Sequence, residues 1–152
     1  MKTSIIYVSV HHGNTEKVAK EIAEVLNADL FKPTELDPNT LSEYDLIGFG
    51  SGIYLLKHHE SLLNFVDKMD ELKDKKAFIF STSGFPMQSL FHSTLRKSLS
   101  EKGFDVVDEF SCRGFSTYGP FKRIGGINKD KPNKEDLENA RKFAADLKKS
   151  RK

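Results

Sequence analysis

Three times in the first 85 residues, a short apolar run gives way to glycine and small polar residues just before a helical periodicity begins. The first run, Ile5 to Val8, leads into Ser9-Val10-His11-His12-Gly13-Asn14-Thr15; Val18, Ile22, Val25 and Leu26 then recur at helical spacing. The second, Asp45-Leu46-Ile47-Gly48-Phe49-Gly50, leads into Ser51-Gly52-Ile53-Tyr54. The third, Lys76 to Ser81, leads into Ser81-Thr82-Ser83-Gly84-Phe85. Strands this apolar bury both faces, and strands alternating with helices at this spacing form a parallel sheet covered on both sides. In such folds ligands bind outside the carboxyl ends of the strands. The first of these ends also places backbone N–H groups and the positive end of a helix dipole at one spot, which suits an anion, most often phosphate. Asn14 and Thr15 would equally serve as plain helix caps.

The rest of the chain continues the alternation. Strands are expected at 3–10, 28–31, 45–50, 76–81 and 104–112, the last nearer an edge because it is less purely apolar. Helices are expected at 14–27, 58–69, 86–102 and from Asn133 onward, the last with Leu137, Ala140, Ala144 and Leu147 as its buried stripe. Residues 34–44 form a polar connection where one crossover helix is missing, and 113–132 form a long loop. The expected fold class is therefore α/β, a three-layer α/β/α arrangement around a five-stranded parallel sheet, in one domain spanning 1–152.

Composition narrows the function. Hydrophobic residues make up 38% and charged residues 30%, as in ordinary soluble globular proteins. No apolar run approaches a membrane span and the N-terminus has no signal-peptide layout, so a cytoplasmic protein is expected. A single cysteine, Cys112, excludes an internal disulfide and a multi-cysteine metal site; it reads as a small buried apolar residue. Residues 122–152 carry 11 Lys/Arg against 5 Asp/Glu, and residues 1–121 carry 13 against 17. The basic excess reads as a solvated last helix with cations at its C-terminal end, so neither nucleic acid nor a membrane is an expected partner.

The first loop has no Gly-Lys-Ser/Thr, which excludes a Walker nucleotide site, and no Gly-x-Gly-x-x-Gly. It lacks the carboxylates a phospho-receiver domain needs at the first strand end. Adjacent His11 and His12 diverge and have no accompanying carboxylate, so no metal is expected.

At His12-Gly13-Asn14-Thr15-Glu16 the sequence resembles the flavodoxin family, whose phosphate loop ends Gly-Asn-Thr after the first strand. The resemblance extends over nearly the whole chain, through Gly50-Ser51-Gly52-Ile53-Tyr54 and Ser81-Thr82-Ser83-Gly84. Phe115-Ser116-Thr117-Tyr118-Gly119-Pro120 and the stretch Gly125 to Asp136 are similar to a short-chain subgroup. It implies strand order 2-1-3-4-5 and FMN as cofactor. It implies that Ser9, His11, His12, Gly13, Asn14 and Thr15 hold the phosphate, the histidines replacing the family's usual threonines. It implies that Ser51, Gly52, Ile53 and Tyr54, with Ser81, Thr82, Ser83, Gly84 and Phe85, flank the flavin ring, and that Tyr54 with Phe85 or Phe115 supplies aromatic contacts. Gly52 would be the peptide whose carbonyl turns toward the flavin, a rotation that glycine permits. His58 and His59 read as partly exposed residues at a helix start, and Lys122 and Arg123 as exposed loop cations.

Three functions fit that resemblance. One is an electron carrier, monomeric, with redox proteins as donor and acceptor and no catalytic residues of its own. Another is an FMN-dependent oxidoreductase acting on a quinone or a protoporphyrinogen-like substrate. The third is an interaction module that has lost FMN, against which Gly13-Asn14-Thr15 and Gly52 argue. The near-minimal length favours the carrier. The sequence pI of 8.5 runs against the acidic charge usual for such carriers, while the excess of acids over residues 1–121 runs with it.

Overall fold

The computed structural model describes residues 1–10, 13–85, 87–114, 128 and 130–150. The sheet is built outward from β1 (Thr3–Val8), five of whose six residues are buried. It is flanked by β2 (Asp29–Phe31) and β3 (Leu46–Tyr54), both parallel to it. Beyond β3 come β5 (Lys75–Ser83) and then β6 (Phe104–Arg113), again parallel. A two-residue strand, β4 (Lys57–His58), folds back antiparallel onto β3. The order is β2-β1-β3-β5-β6, which is the expected 2-1-3-4-5 path with β4 as a sixth strand off it. As expected, β6 lies at the edge, and its pairing shifts register between Ala77 and Phe78 of β5.

Residue parity sorts the side chains into two cores. On one face Ile5, Tyr7, Leu46, Phe78, Phe80 and Cys112 pack with α1 (Asn14–Leu26) and α5 (Lys134–Ser150). On the other, Ile6, Ile47, Phe49, Ala77 and Ile79 pack with α2 (Glu60–Asp67) and α4 (Ser93–Glu101). Ala140, Ala144 and Leu147 form the buried stripe of α5, joined by Phe143, and Leu137 packs against it partly buried. A reciprocal cap fixes the start of this helix: Asp136 N–H donates to Asn133 Oδ1 and Asn133 N–H to Asp136 Oδ2, each at 2.9 Å. The Arg141 guanidinium, 2.9 Å from Glu21, joins α5 to α1. No helix among the described residues is long and apolar enough to cross a membrane.

Two expectations need correction. The stretch Ser51–Tyr54 is not a loop. It is the end of β3, because Ser51 has strand partners on both sides (Val8 and Ser81) and Ile53 and Tyr54 pair with β4. The expected helix over 86–102 is two helices, α3 (Gln88–Phe91) and α4, separated at His92, whose side chain turns inward to polar partners. The missing crossover between β2 and β3 is made by two short 3-10 turns, Pro33–Glu35 and Pro38–Glu43. The second buries Leu41.

Candidate functional site

The parallel register brings the carboxyl ends of β1, β3 and β5 into one row: Val8 lies opposite Ser51, and Gly52 opposite Thr82. Beside the end of β1, α1 begins at Gly13, which sits in the left-handed region at φ 67°, ψ 18°. Glycine takes that conformation without a Cβ penalty, and it leaves the first turn without a side-chain cap from its own N-cap residue. Ser9 reaches across instead, its Oγ accepting from Glu16 N–H at 3.1 Å.

Thr15 is 2% exposed and its hydroxyl lies 2.9 Å from that of Thr82, so the first turn of α1 is fastened to the end of β5. Thr82 shares the parity of Phe78 and Phe80 and so points to the α1 face. Asn14 lies beneath Gly114, where a Cβ would come within 2.6 Å of the Asn14 Nδ2. Gly114 N–H in turn donates to the Ser83 carbonyl at 3.0 Å. The Asn128 side-chain amide donates to the Gly84 carbonyl at 3.0 Å. Gly114 and Asn128 are absent from the sequence-derived site: each joins it through partners distant in sequence, Ser83 and Asn14 for Gly114 and Gly84 for Asn128, which local patterning does not register.

Not every candidate side chain faces this end. Ser51 and Ser81 stand side by side on the opposite parity, toward α2 and α4. The Ser51 hydroxyl donates to the Gly52 carbonyl at 2.6 Å and accepts from His59 N–H at 2.9 Å. Ser83 donates to the Phe85 carbonyl at 2.7 Å. Tyr54 is partly exposed and meets the His59 ring edge-on at 5.2 Å, its hydroxyl close above Gly52. Phe85 is 56% exposed. His11, His12, Pro86, Phe115, Lys122 and Arg123 lie outside the described residues. His58 is a correction: it is no exposed helix-start residue but a buried one in β4, while His59 caps α2 by accepting from Ser61 N–H. Cys112 is buried as expected, and burial, with Asp136 nearby, pushes its thiol up to about 12, which keeps it neutral.

Between β3 and β4 the chain reverses through Leu55 and Leu56, at φ 50° and 68°. Two consecutive left-handed residues are the geometry of a turn that favours Asn-Gly; a bulky side chain there costs about 1–2 kcal/mol per residue. Both leucines are also mostly exposed. The replacement Leu55→Asn with Leu56→Gly should therefore raise the unfolding free energy by about 1 kcal/mol, read from urea midpoints.

Comparison with known proteins agrees with this architecture. A family model described as the flavodoxin domain matches residues 4–124. An uncharacterized protein of Methanocaldococcus jannaschii is 52% identical over 148 residues, covering 97% of this chain and 98% of its own. Among solved structures, oxidised flavodoxin 2 from Bacillus cereus superposes with a TM-score of 0.75 at 21% identity, over 99% of each chain. A short-chain flavodoxin associated with a non-canonical PDU bacterial microcompartment superposes with a TM-score of 0.71 at 18% identity, also over 99% of each. With the family model spanning most of the chain and the fold shared with solved flavodoxins, the chain belongs to the flavodoxin family.

Proposed function

We propose that the protein binds FMN across the ends of β1, β3 and β5 and carries electrons between redox partner proteins. The observation that carries this reading is the start of α1, opened by left-handed Gly13 directly beside that row of strand ends. Anionic groups are stabilised at such helix starts by backbone N–H groups, without need of a lysine. Asn14, Thr15 and Ser9 would hold the phosphate, with His11 and His12 contributing. Tyr54 and Phe85, with Phe115, would contact the ring, and Thr82, Ser83 and Gly84 would meet its polar edge. When bound, FMN supplies reversible one- and two-electron chemistry; the chain binds it, shields it and presents it to partners.

A carrier must meet its partners briefly. Of the exposed large apolar residues among those described, all but Met1 follow the ends of β1, β3 or β5: Val10, Leu55, Leu56, Phe85, Met87 and Leu90. Apolar residues gathered beside a ligand site suit contact with other proteins.

The purified protein should show a flavin absorption spectrum or gain one when FMN is added; a protein that stays colourless overturns the reading. Rapid oxidation of a nicotinamide donor with a quinone acceptor would instead speak for an oxidoreductase of the same fold. The replacement Thr15→Ala should weaken FMN by about tenfold, the scale of one hydrogen bond to a charged group, and riboflavin much less. Fluorescence titration with both flavins measures this, and equal losses would contradict the phosphate assignment.

A further inference from the structure

Below the strand ends, on the α2/α4 face, lies a buried polar chain that the flavin reading leaves unused. Ser81 Oγ is 2.6 Å from His92 Nε2. His92 Nδ1 is 2.8 Å from Glu109 Oε1, and Arg96 closes on the same carboxylate with Nε at 2.7 Å and Nη2 at 2.6 Å. The ionised carboxylate only accepts, so His92 carries its proton on Nδ1, and the Ser81 hydroxyl donates to the bare Nε2. One residue earlier in β5, the Phe80 carbonyl accepts from His58 Nε2–H at 3.0 Å. His58 Nδ1 is buried and makes no hydrogen bond among the described residues. The two imidazoles lie 5.0 Å apart, His58 1% exposed and His92 0%.

The origin of these rings gives the cluster its meaning. His58 belongs to β4, which closes the turn after Tyr54. His92 sits at the break between α3 and α4, seven residues after Phe85. Two adjacent residues of β5 are thus gripped from two sides by segments bearing the aromatic side chains expected to flank the ligand. Buried imidazoles suit such a grip, because each is rigid and in its neutral form offers one donor and one acceptor at fixed positions.

We propose that His58 and His92 are positioning residues of the ligand site: they lock the Tyr54-bearing hairpin and α3 onto β5 and so set the separation of the two walls between which a flavin ring would lie. This rests on the flavin reading above. The link from His92 to the site runs through Ser81, whereas its link to Glu109 serves only the anchorage of α4.

That division can be tested with side chains that reproduce half of an imidazole. His92→Gln places an amide near the Nε2 position and retains the Ser81 bond while losing Glu109. His92→Asn reaches only the Nδ1 position and does the reverse. Riboflavin and FMN are titrated by fluorescence quenching, the visible circular dichroism of the bound flavin is recorded, and melting is followed in parallel. His92→Gln should bind both flavins within about threefold of wild type with an unchanged dichroism band. His92→Asn should lose about tenfold and shift the band. Should His92→Asn not fold, His58→Gln, which can still donate to Phe80, and the shorter His58→Asn give the same contrast. Arg96→Lys, which loosens only the Glu109 clamp, should lower the melting temperature and leave flavin affinity in place.

If His92→Asn and His58→Asn bind flavin with wild-type affinity and dichroism, the positioning role is wrong. It is equally wrong if affinity simply follows melting temperature across the series, Arg96→Lys included. A wild-type protein that binds neither flavin removes the ligand reading and this inference with it; a wild-type that binds while the variants show no contrast overturns this inference alone.

Discussion

Gly50→Ala is expected to destabilise the protein by about 3 kcal/mol, and Gly48→Ala by a similar amount. Both glycines lie in β3 on the α1/α5 face, and a Cβ on either would enter the ring of a phenylalanine on the neighbouring strand, Phe80 for Gly50 and Phe78 for Gly48. The rings have nowhere to go. Each is fully buried, they stack on one another with centroids 6.2 Å apart, and Phe78 also meets the edge of Phe143 at 5.8 Å. The missing side chains of β3 are therefore the space into which β5 packs, and small-to-large changes in a close-packed core force side chains off their preferred rotamers. Urea unfolding of the single variants measures the cost. Pairing Gly50→Ala with Phe80→Leu should recover part of it, with a coupling energy above about 1 kcal/mol in a double-mutant cycle. Additive losses would show that the ring is not what excludes the methyl group.

The second large effect is on pH. Burial, with His92 beside it, pushes His58 down to about 3 from the ordinary 6.5, outweighing the Phe80 and Phe91 carbonyls and Glu109, which favour the proton. Burial likewise lowers His92, against the opposing pull of Glu109 and with help from Arg96. Well above pH 6.5 neither ring is charged in either state, and neither affects stability. As pH falls through 6.5 the unfolded chain takes up protons that the folded chain refuses, so stability falls with pH, for His58 by about 1.4 kcal/mol per unit down toward its folded value. Between about pH 7.5 and 5, His58 alone should cost about 2 kcal/mol. Urea titrations across that range should show the decline, and His58→Gln should flatten it. Glu109 is separable from this. Burial pushes its carboxyl up, but Arg96 and His92 together outweigh burial and hold it below the usual value. Its contribution is lost only as pH falls through the carboxylate range, below the histidine window.

Much of this architecture is legible in the sequence because parallel strands are buried on both faces. Ile5 to Val8, Leu46 to Phe49 and Ala77 to Phe80 stand out as apolar runs, and the glycines and hydroxyl residues after them mark where the strands meet solvent and ligand. What local pattern misreads is pairing. Ser51 to Tyr54 has the composition of a loop, yet partners on both sides make it strand. The break at His92 is hidden in a stretch of good helix formers. One trace of it is present: His92 precedes Leu95 and Leu99 by three and seven residues, which puts a histidine on the buried face of a helix. Its partners Ser81 and Glu109 come from two other elements and can be found only in three dimensions. The carboxyl-end placement of the site is readable from topology. That Ser51 and Ser81 turn to the other face follows from strand parity, which becomes usable only once the strand limits are known.

The thiol of Cys112 makes motion in this core measurable. It is the chain's single cysteine, 7% exposed at the end of β6, in the core shared with α1 and α5, and it is neutral well above physiological pH. A thiol in that state reacts with an aromatic disulfide reagent only when its surroundings open. Its labelling rate is therefore a clock for the separation of β6 from α5, built into the native sequence without any engineered probe.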